Sequence, residues 1–233
     1  MRPTSVVGRA TEALANLSIT SVKGSETKLR MATTMVQCIR LFPSNTSITG
    51  HVGSSIAKMA EDEDLAVRLV DTGVVSVLHS ALMLHERGYC VSAVCQALSR
   101  LSEPRNNVRV LLPVVPAVVA TLERNVSDRM VTVFHLAEND DIALRPDFGG
   151  PDFGGPDSKG FQVMLATLQR CADDDMIMTS AVRALCSLVR NHPGNRAALI
   201  RLQAVEQLRE VKSRMQSDTD GIKLQSLIDS LSP

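Results

Sequence analysis

A period of 42 residues constrains this chain more than anything else in it. Four short segments share one pattern: ALANL at 13–17, SIAKM at 55–59, ALSRL at 97–101 and ALCSL at 184–188. Leu14, Ile56 and Leu98, their second residues, fall 42 apart, and Leu227, inside LQSLIDSL, lies 42 beyond Leu185. The 87 residues from Leu98 to Leu185 leave room for one more unit, which VTVFHLAEN around Phe134 supplies out of register. Each segment is apolar at i, i+3, i+4 and i+7, the stripe of a helix with a buried face. Self-similarity at such a spacing builds stacked supersecondary units, each burying its apolar side on the next.

A second pattern precedes the first. Gly73 of GVVSVLHSAL stands 25 residues before Leu98, and Gly160 of GFQVMLATL stands 25 before Leu185. PVVPAVVATL at Pro113 and QAVEQLREV at Gln203 read the same way, as does MATTMVQCIRL at Met31 without the glycine. A short polar–apolar piece, such as DEDLAVRLVDTG or RNNVRVLLP, comes before. The predicted unit is a short helix, a Gly or sharp turn, a middle helix, a polar turn and a long last helix. PSNTS, RNVSD, ADDD and QSDTDG supply N-cap chemistry at the turns. Apolar residues make up 44% of the chain and aromatics only 3%, so the core must be aliphatic. No strand alternation runs for long, and the class is all-α.

In these residues the chain resembles the armadillo repeat family, whose units read G-a-i-p-x-L-v-x-L-L and then A-x-x-A-L-x-x-L, with HEAT repeats as the near neighbour. Both have units of roughly 40–47 residues. The resemblance runs from about Ser5 to Leu231. It implies one domain over 1–233, a right-handed α-solenoid of about five armadillo-type repeats plus a leading partial repeat. The last helix of the partial repeat covers 5–20, and the repeats cover about 26–62, 63–103, 104–138, 139–191 and 192–233. HEAT-type pairing stays open for the irregular repeat near 104–138.

Asp-Phe-Gly, a magnesium-holding element of protein kinases, occurs twice in RPDFGGPDFGGPDSKG at 145–160. A kinase would also need a Gly-rich phosphate loop, a strand Lys and an H-R-D loop, and none is in the sequence. MAEDEDLAVRLVDTG at 59–73 and LAENDDIALRPDFGG at 136–150 match almost position by position. Phe148-Gly149-Gly150 therefore corresponds to the corner at Gly73, and 151–160 are extra. Without those ten residues, the Phe134-to-Leu185 interval falls from 51 to 41. The insertion, 146–160, reads as a duplicated turn. It is either a solvated loop or, through Phe148 and Phe153, a partner-contacting one.

No catalytic pattern is present. His51, His79, His85, His135 and His192 are scattered, and no cysteine pair has zinc-site spacing. Asp173-Asp174-Asp175 falls where a helix N-terminus favours negative charge. The sequence predicts no enzyme, no catalytic residue, no cofactor, no metal and no small-molecule substrate. Five cysteines, an odd number without a C-x-x-C pair, read as buried free thiols in a reducing, cytoplasmic setting. The longest apolar run, 110–122, is 13 residues and contains two prolines, short of the roughly 20 a membrane span needs. Lys+Arg and Asp+Glu balance at 25 each, so no overall field draws the chain to nucleic acid or membrane.

What the resemblance implies is a protein-binding scaffold or adaptor whose last helices line a concave groove. Peptide-binding armadillo proteins carry an Asn ladder there, two residues after the Leu of A-L-x-N-L, and a Trp four residues earlier. Asn16 matches the Asn, but the later ladder positions hold Lys58, Arg100 and Ser187, and the Trp positions hold Glu12, Ser54, Gln96 and Arg183. One turn earlier come Arg9, His51, Ala93 and Ser180. The groove candidates are therefore Arg9, Glu12, Asn16, His51, Lys58, Gln96, Arg100 and Arg183, a moderately basic lining. It suits an acidic or phosphorylated peptide. An RNA-binding α-solenoid is the alternative, disfavoured by the few aromatics available for base stacking. The chain opens inside a last helix, which predicts either a longer repeat chain or self-association through that helix.

Overall fold

In the computed structural model, residues 3–20, 24–124, 159–171, 175–190, 193–215 and 218–232 are described, and no strand occurs among them. They divide into two compact units, 1–121 and 122–233. The first contains α1 (Pro3–Thr20), α2 (Ser25–Leu41), α3 (Thr46–Met59), α4 (Glu63–Val70), α5 (Val74–Leu84), α6 (Tyr89–Ser102) and α7 (Val108–Leu111). Two 3-10 turns, Arg105–Asn107 and Leu112–Val114, flank α7, and the unit boundary falls inside α8 (Val115–Arg124). The second contains α9 (Lys159–Arg170), α10 (Asp175–Arg190), α11 (Pro193–Arg201), α12 (Ala204–Arg214) and α13 (Asp218–Leu231).

Local chemistry sets the helix ends. Asn45 caps α3 by accepting from the Ile48 amide at 3.1 Å, and Asp62 caps α4 by accepting from Leu65 at 3.1 Å. Each such cap stabilises its helix by about 1 kcal/mol. Gly73 turns the corner into α5 with φ 77°, in the left-handed region that glycine enters without penalty. Gln203 makes the corresponding corner before α12 with φ 52°, a conformation costing a non-glycine residue roughly 1 kcal/mol. The cap segments RNVSD and ADDD lie outside the described residues but for Arg124 and Asp175, and in QSDTDG so do Gln216 and Ser217.

Helices of the same rank pack on one another within each unit. In the first, α1 packs on α3 and α3 on α6, while α2 packs on α5; in the second, α10 packs on α13 and α9 on α12. The residues at 42-residue spacing anchor these stacks: Ile56, Leu98, Leu185 and Leu227 are buried. The core is mainly aliphatic, with Leu65, Leu69, Leu78, Leu82 and Leu101 fully enclosed beside Met35 and Met59 in the first unit, but in the second the aromatic Phe161 is fully buried as well. No single described helix is long and apolar enough to cross a membrane, and the apolar pair α4 and α5 meets at a 75° bend.

Two buried asparagines each fasten a last helix to the start of the repeat that follows it, within one unit. Asn107 Nδ2 donates to the Leu101 carbonyl at 2.9 Å and the Ala66 carbonyl at 3.0 Å, and Asn195 Nδ2 donates to the Leu188 carbonyl at 2.9 Å. Leu101 and Leu188 hold the same place in their helices, so each asparagine satisfies an otherwise unpaired C-terminal carbonyl. The sequence reading did not single these residues out.

The tightest approach in the first unit is between α3 and α6. A Cβ on Gly53 would lie 2.8 Å from the Ala93 carbonyl carbon and 2.9 Å from its oxygen. A Cβ on Gly50 would lie 2.7 Å from the Tyr89 ring and at an ordinary 3.6 Å from Cys90 Cα. Tyr89 is exposed and its ring can swing away, whereas the Ala93 backbone belongs to a packed helix. Gly53→Ala should therefore destabilise the protein by about 1–3 kcal/mol despite the better helix propensity of alanine. Gly50→Ala should fall within roughly 0.5 kcal/mol of neutral. Urea denaturation of the two variants tests this, and equal midpoints would show that the helices are not in backbone contact.

Candidate protein-interaction face

In the stack of α1, α3 and α6 the last two helices bury most of their surface, whereas α1 also exposes Val6, Ala10 and Ala13. Beyond the first turn of α3, only His51, Ser54 and Lys58 escape full burial, and in α6 only Tyr89, Ser92, Gln96 and Arg100 do. These spacings of three and four trace one stripe along each helix. On α1, Arg9, Glu12 and Asn16 are exposed at the same spacing. Asn16, Lys58 and Arg100 thus hold equivalent positions on three successively packed helices, and Glu12, Ser54 and Gln96 hold another set. The column through Arg9 and His51 does not continue, because Ala93 is buried against α3 and Ser92 takes the open position on α6.

Two of the charges on this face, Lys58 and Arg100, carry their own partners. Lys58 Nζ lies 2.5 Å from Glu61 Oε2, and Arg100 Nη1 lies 2.7 Å from Glu103 Oε1. Both pairs are half exposed and join residues three apart, and Glu61 and Glu103 repeat at the same 42-residue spacing. The basic lining expected at Lys58 and Arg100 is therefore locally balanced. Pairing of this kind is worth little to stability, roughly 0.2–1 kcal/mol, but a ligand must compete with it. Tyr89, the one tyrosine, adds a contact the sequence reading missed: its Oη lies 2.7 Å from Ser54 Oγ across α3 and α6.

In the second unit Arg183 is exposed on α10, while Ser187, in the ladder position, is buried. Phe148 and Phe153 lie outside the described residues. On the side of the first unit formed by α2 and α5, a hollow of about 610 Å³ is lined by Ile39, Val77, Met83 and Leu84 with Arg40 and His79. No group of His, Cys, Asp and Glu among the described residues could hold a metal ion.

No family model and no curated protein matches the sequence. Solved structures do match. An engineered protein from the Northeast Structural Genomics Consortium superposes with TM-score 0.74 at 16% identity over 99% of this chain, which spans 55% of that protein. A second engineered protein gives 0.73 at 14% identity, over 100% of this chain and 94% of its own. A designed armadillo repeat protein in complex with the peptide (KR)4 gives 0.72 at 13% identity, over 100% and 95%. The fold is armadillo-like. In this armadillo-like chain the ladder position becomes Asn16, Lys58, Arg100 and Ser187, and no tryptophan accompanies it.

Burial makes two of the five cysteines poor nucleophiles. All are free; Cys90 and Cys95 are buried, whereas Cys38, Cys171 and Cys186 are only half-buried, short of the full burial expected from sequence. Burial raises the Cys90 thiol, with backbone hydrogen bonds opposing it in part. Burial also pushes Cys95 from an ordinary 9.0 up to about 12. A raised pKa means less thiolate and a slower reaction. In the native protein at pH 8, a thiol reagent read by mass spectrometry should modify Cys38, Cys171 and Cys186 and spare Cys95 until denaturant is added. Because the folded pKa exceeds the unfolded one, the stability this thiol contributes is complete below about pH 9 and is lost as the pH rises towards 12. Prompt native-state labelling of Cys95 would contradict its placement.

Proposed function

We propose that this chain is a non-catalytic scaffold that holds an extended segment of a partner protein along its last helices. The observation that supports it most is the in-register open stripe on α1, α3 and α6, with Asn16, Lys58 and Arg100 in one column and Glu12, Ser54 and Gln96 in the next. Packed helices stand about 8–10 Å apart, and an extended chain advances about 3.3–3.6 Å per residue. Every third residue of a bound segment then meets the next helix. Three helices would read a segment of six to nine residues in this way.

The chemistry of the stripe favours a polar ligand. Amide side chains at Asn16 and Gln96 both donate and accept, and so can satisfy a peptide backbone. The designed neighbour holds a basic peptide, (KR)4; here lysine and arginine occupy the corresponding ladder positions, so the charge preference of the ligand is reversed. Acidic or phosphorylated segments fit best, and they bind by displacing Glu61 from Lys58 and Glu103 from Arg100. Exposed contacts of this sort give roughly 0.2–1 kcal/mol each, and several in register set specificity and association rate.

Selection from a random display library of extended peptides tests the reading. Acidic sequences should be enriched. The double variant Lys58→Ala, Arg100→Ala should bind the selected peptides at least tenfold more weakly with unchanged helicity and melting temperature. Undiminished binding by the double variant at physiological salt would remove this face from consideration. Preferential retention of mixed RNA over every peptide would assign the surface to nucleic acid instead.

A further inference from the structure

Resting on that reading, and deepening it, we infer that the cleft between α10 and α13 of the second unit is a phosphate-recognition site for a phosphoserine or phosphothreonine in a bound protein segment. The cleft has a volume of about 450 Å³ and faces formed by two helices. Arg183, Ser187 and Arg190 line it from α10 at i, i+4 and i+7, and Lys223, Ser226 and Ser230 line it from α13 at i, i+3 and i+7. Those are the spacings that put three side chains on one helix face. Two helices thus bring three cations and three serines to one space, and no carboxylate is among the residues that line it.

The difference from the first unit is decisive. There, each ladder cation is closed onto a glutamate three residues on. Arg183 and Arg190 have no carboxylate partner among the described residues, and the position three after Arg183 is Cys186. Asp229 of α13 accepts from Gln225 Nε2 at 2.6 Å. Cys186 donates from Sγ to the Lys223 carbonyl at 3.8 Å, which holds the two walls together.

Charge and shape select a phosphate over a single carboxylate. A phosphorylated side chain carries about −1.5 to −2 charge and three acceptor oxygens. Arginine matches it with paired N–H donors, and Lys223 supplies a point charge from the opposite wall. Arg183 and Arg190 sit about 10 Å apart along α10, so they reach inward from either end of the cleft, on both sides of Ser187. The Ser230 hydroxyl already donates to the Leu227 carbonyl at 2.7 Å, which leaves Ser226, exposed on the rim, to complete the donor set. The cleft is open along the helices, as a site for a modified residue within an extended chain must be.

The test uses the whole chain and two degenerate peptide libraries, one with a fixed central phosphoserine and one with serine in its place, read by fluorescence anisotropy at physiological salt. Phosphorylated peptides should bind at least tenfold more tightly. Arg183→Gln combined with Arg190→Gln should erase that preference without moving the melting temperature, and Arg183→Lys should keep part of it. Binding of both libraries without a phosphate preference overturns this inference and leaves the scaffold reading intact. A preference that survives the double substitution, while Lys58→Ala, Arg100→Ala abolishes it, places the phosphate in the first unit and overturns the inference. Polyuridylate binding more tightly than any phosphopeptide overturns it in favour of RNA. Failure of both libraries to bind overturns both readings together.

Discussion

Everything on the first unit's open face depends on how closely α3 approaches α6. Gly53 lies against the Ala93 backbone, where a single methyl group would intrude to 2.8 Å. Ala57 and Ala97, both buried, keep the rest of the contact small. Short side chains let two helices meet almost backbone to backbone, and dispersion over such a contact holds them in one register. That register aligns Lys58 with Arg100, and Ser54 with Gln96. A bulkier seam would separate the helices and stagger the columns.

The close approach also explains why so little of each last helix is open. With α3 on one flank and α4, α5 and α7 packed against it too, α6 keeps four residues from full burial, Tyr89, Ser92, Gln96 and Arg100. A surface this narrow has few ways to be specific. In the first unit Lys58 and Arg100 are each tied into a pair, so an acidic segment would have to displace Glu61 and Glu103 before those charges could select it. In the second, Arg183 and Arg190 stand beside serines and a cysteine, and charge can take the larger part. One repeat pattern thus carries two different chemistries.

Much of this was legible in the sequence because burial follows periodicity. Ile56, Leu98, Leu185 and Leu227, picked out by spacing alone, all lie in the core. Gly73 was recognisable as a corner, and Asn45 as a cap in PSNTS. What the sequence hid depends on geometry between elements. The Glu61 and Glu103 partners stand at visible spacings, but which cation each engages is a matter of side-chain direction. Asn107 and Asn195 lie six and seven residues beyond the carbonyls they satisfy, so a search at one fixed offset passes over them. Ala93 looks like an open position by register and is closed by Gly53 of the preceding last helix. The α10/α13 cleft draws its walls from segments about one repeat apart, where a charge count along the chain reveals nothing.

Native-state hydrogen exchange on the wild type and Gly53→Val tests the central claim most directly. The close contact of α3 and α6 predicts that their mid-helix amides exchange among the slowest in the first unit, at the free energy of its global unfolding. In Gly53→Val the protection of both helices should fall together. Unchanged protection in the variant, or α3 and α6 exchanging independently of one another, would contradict the account.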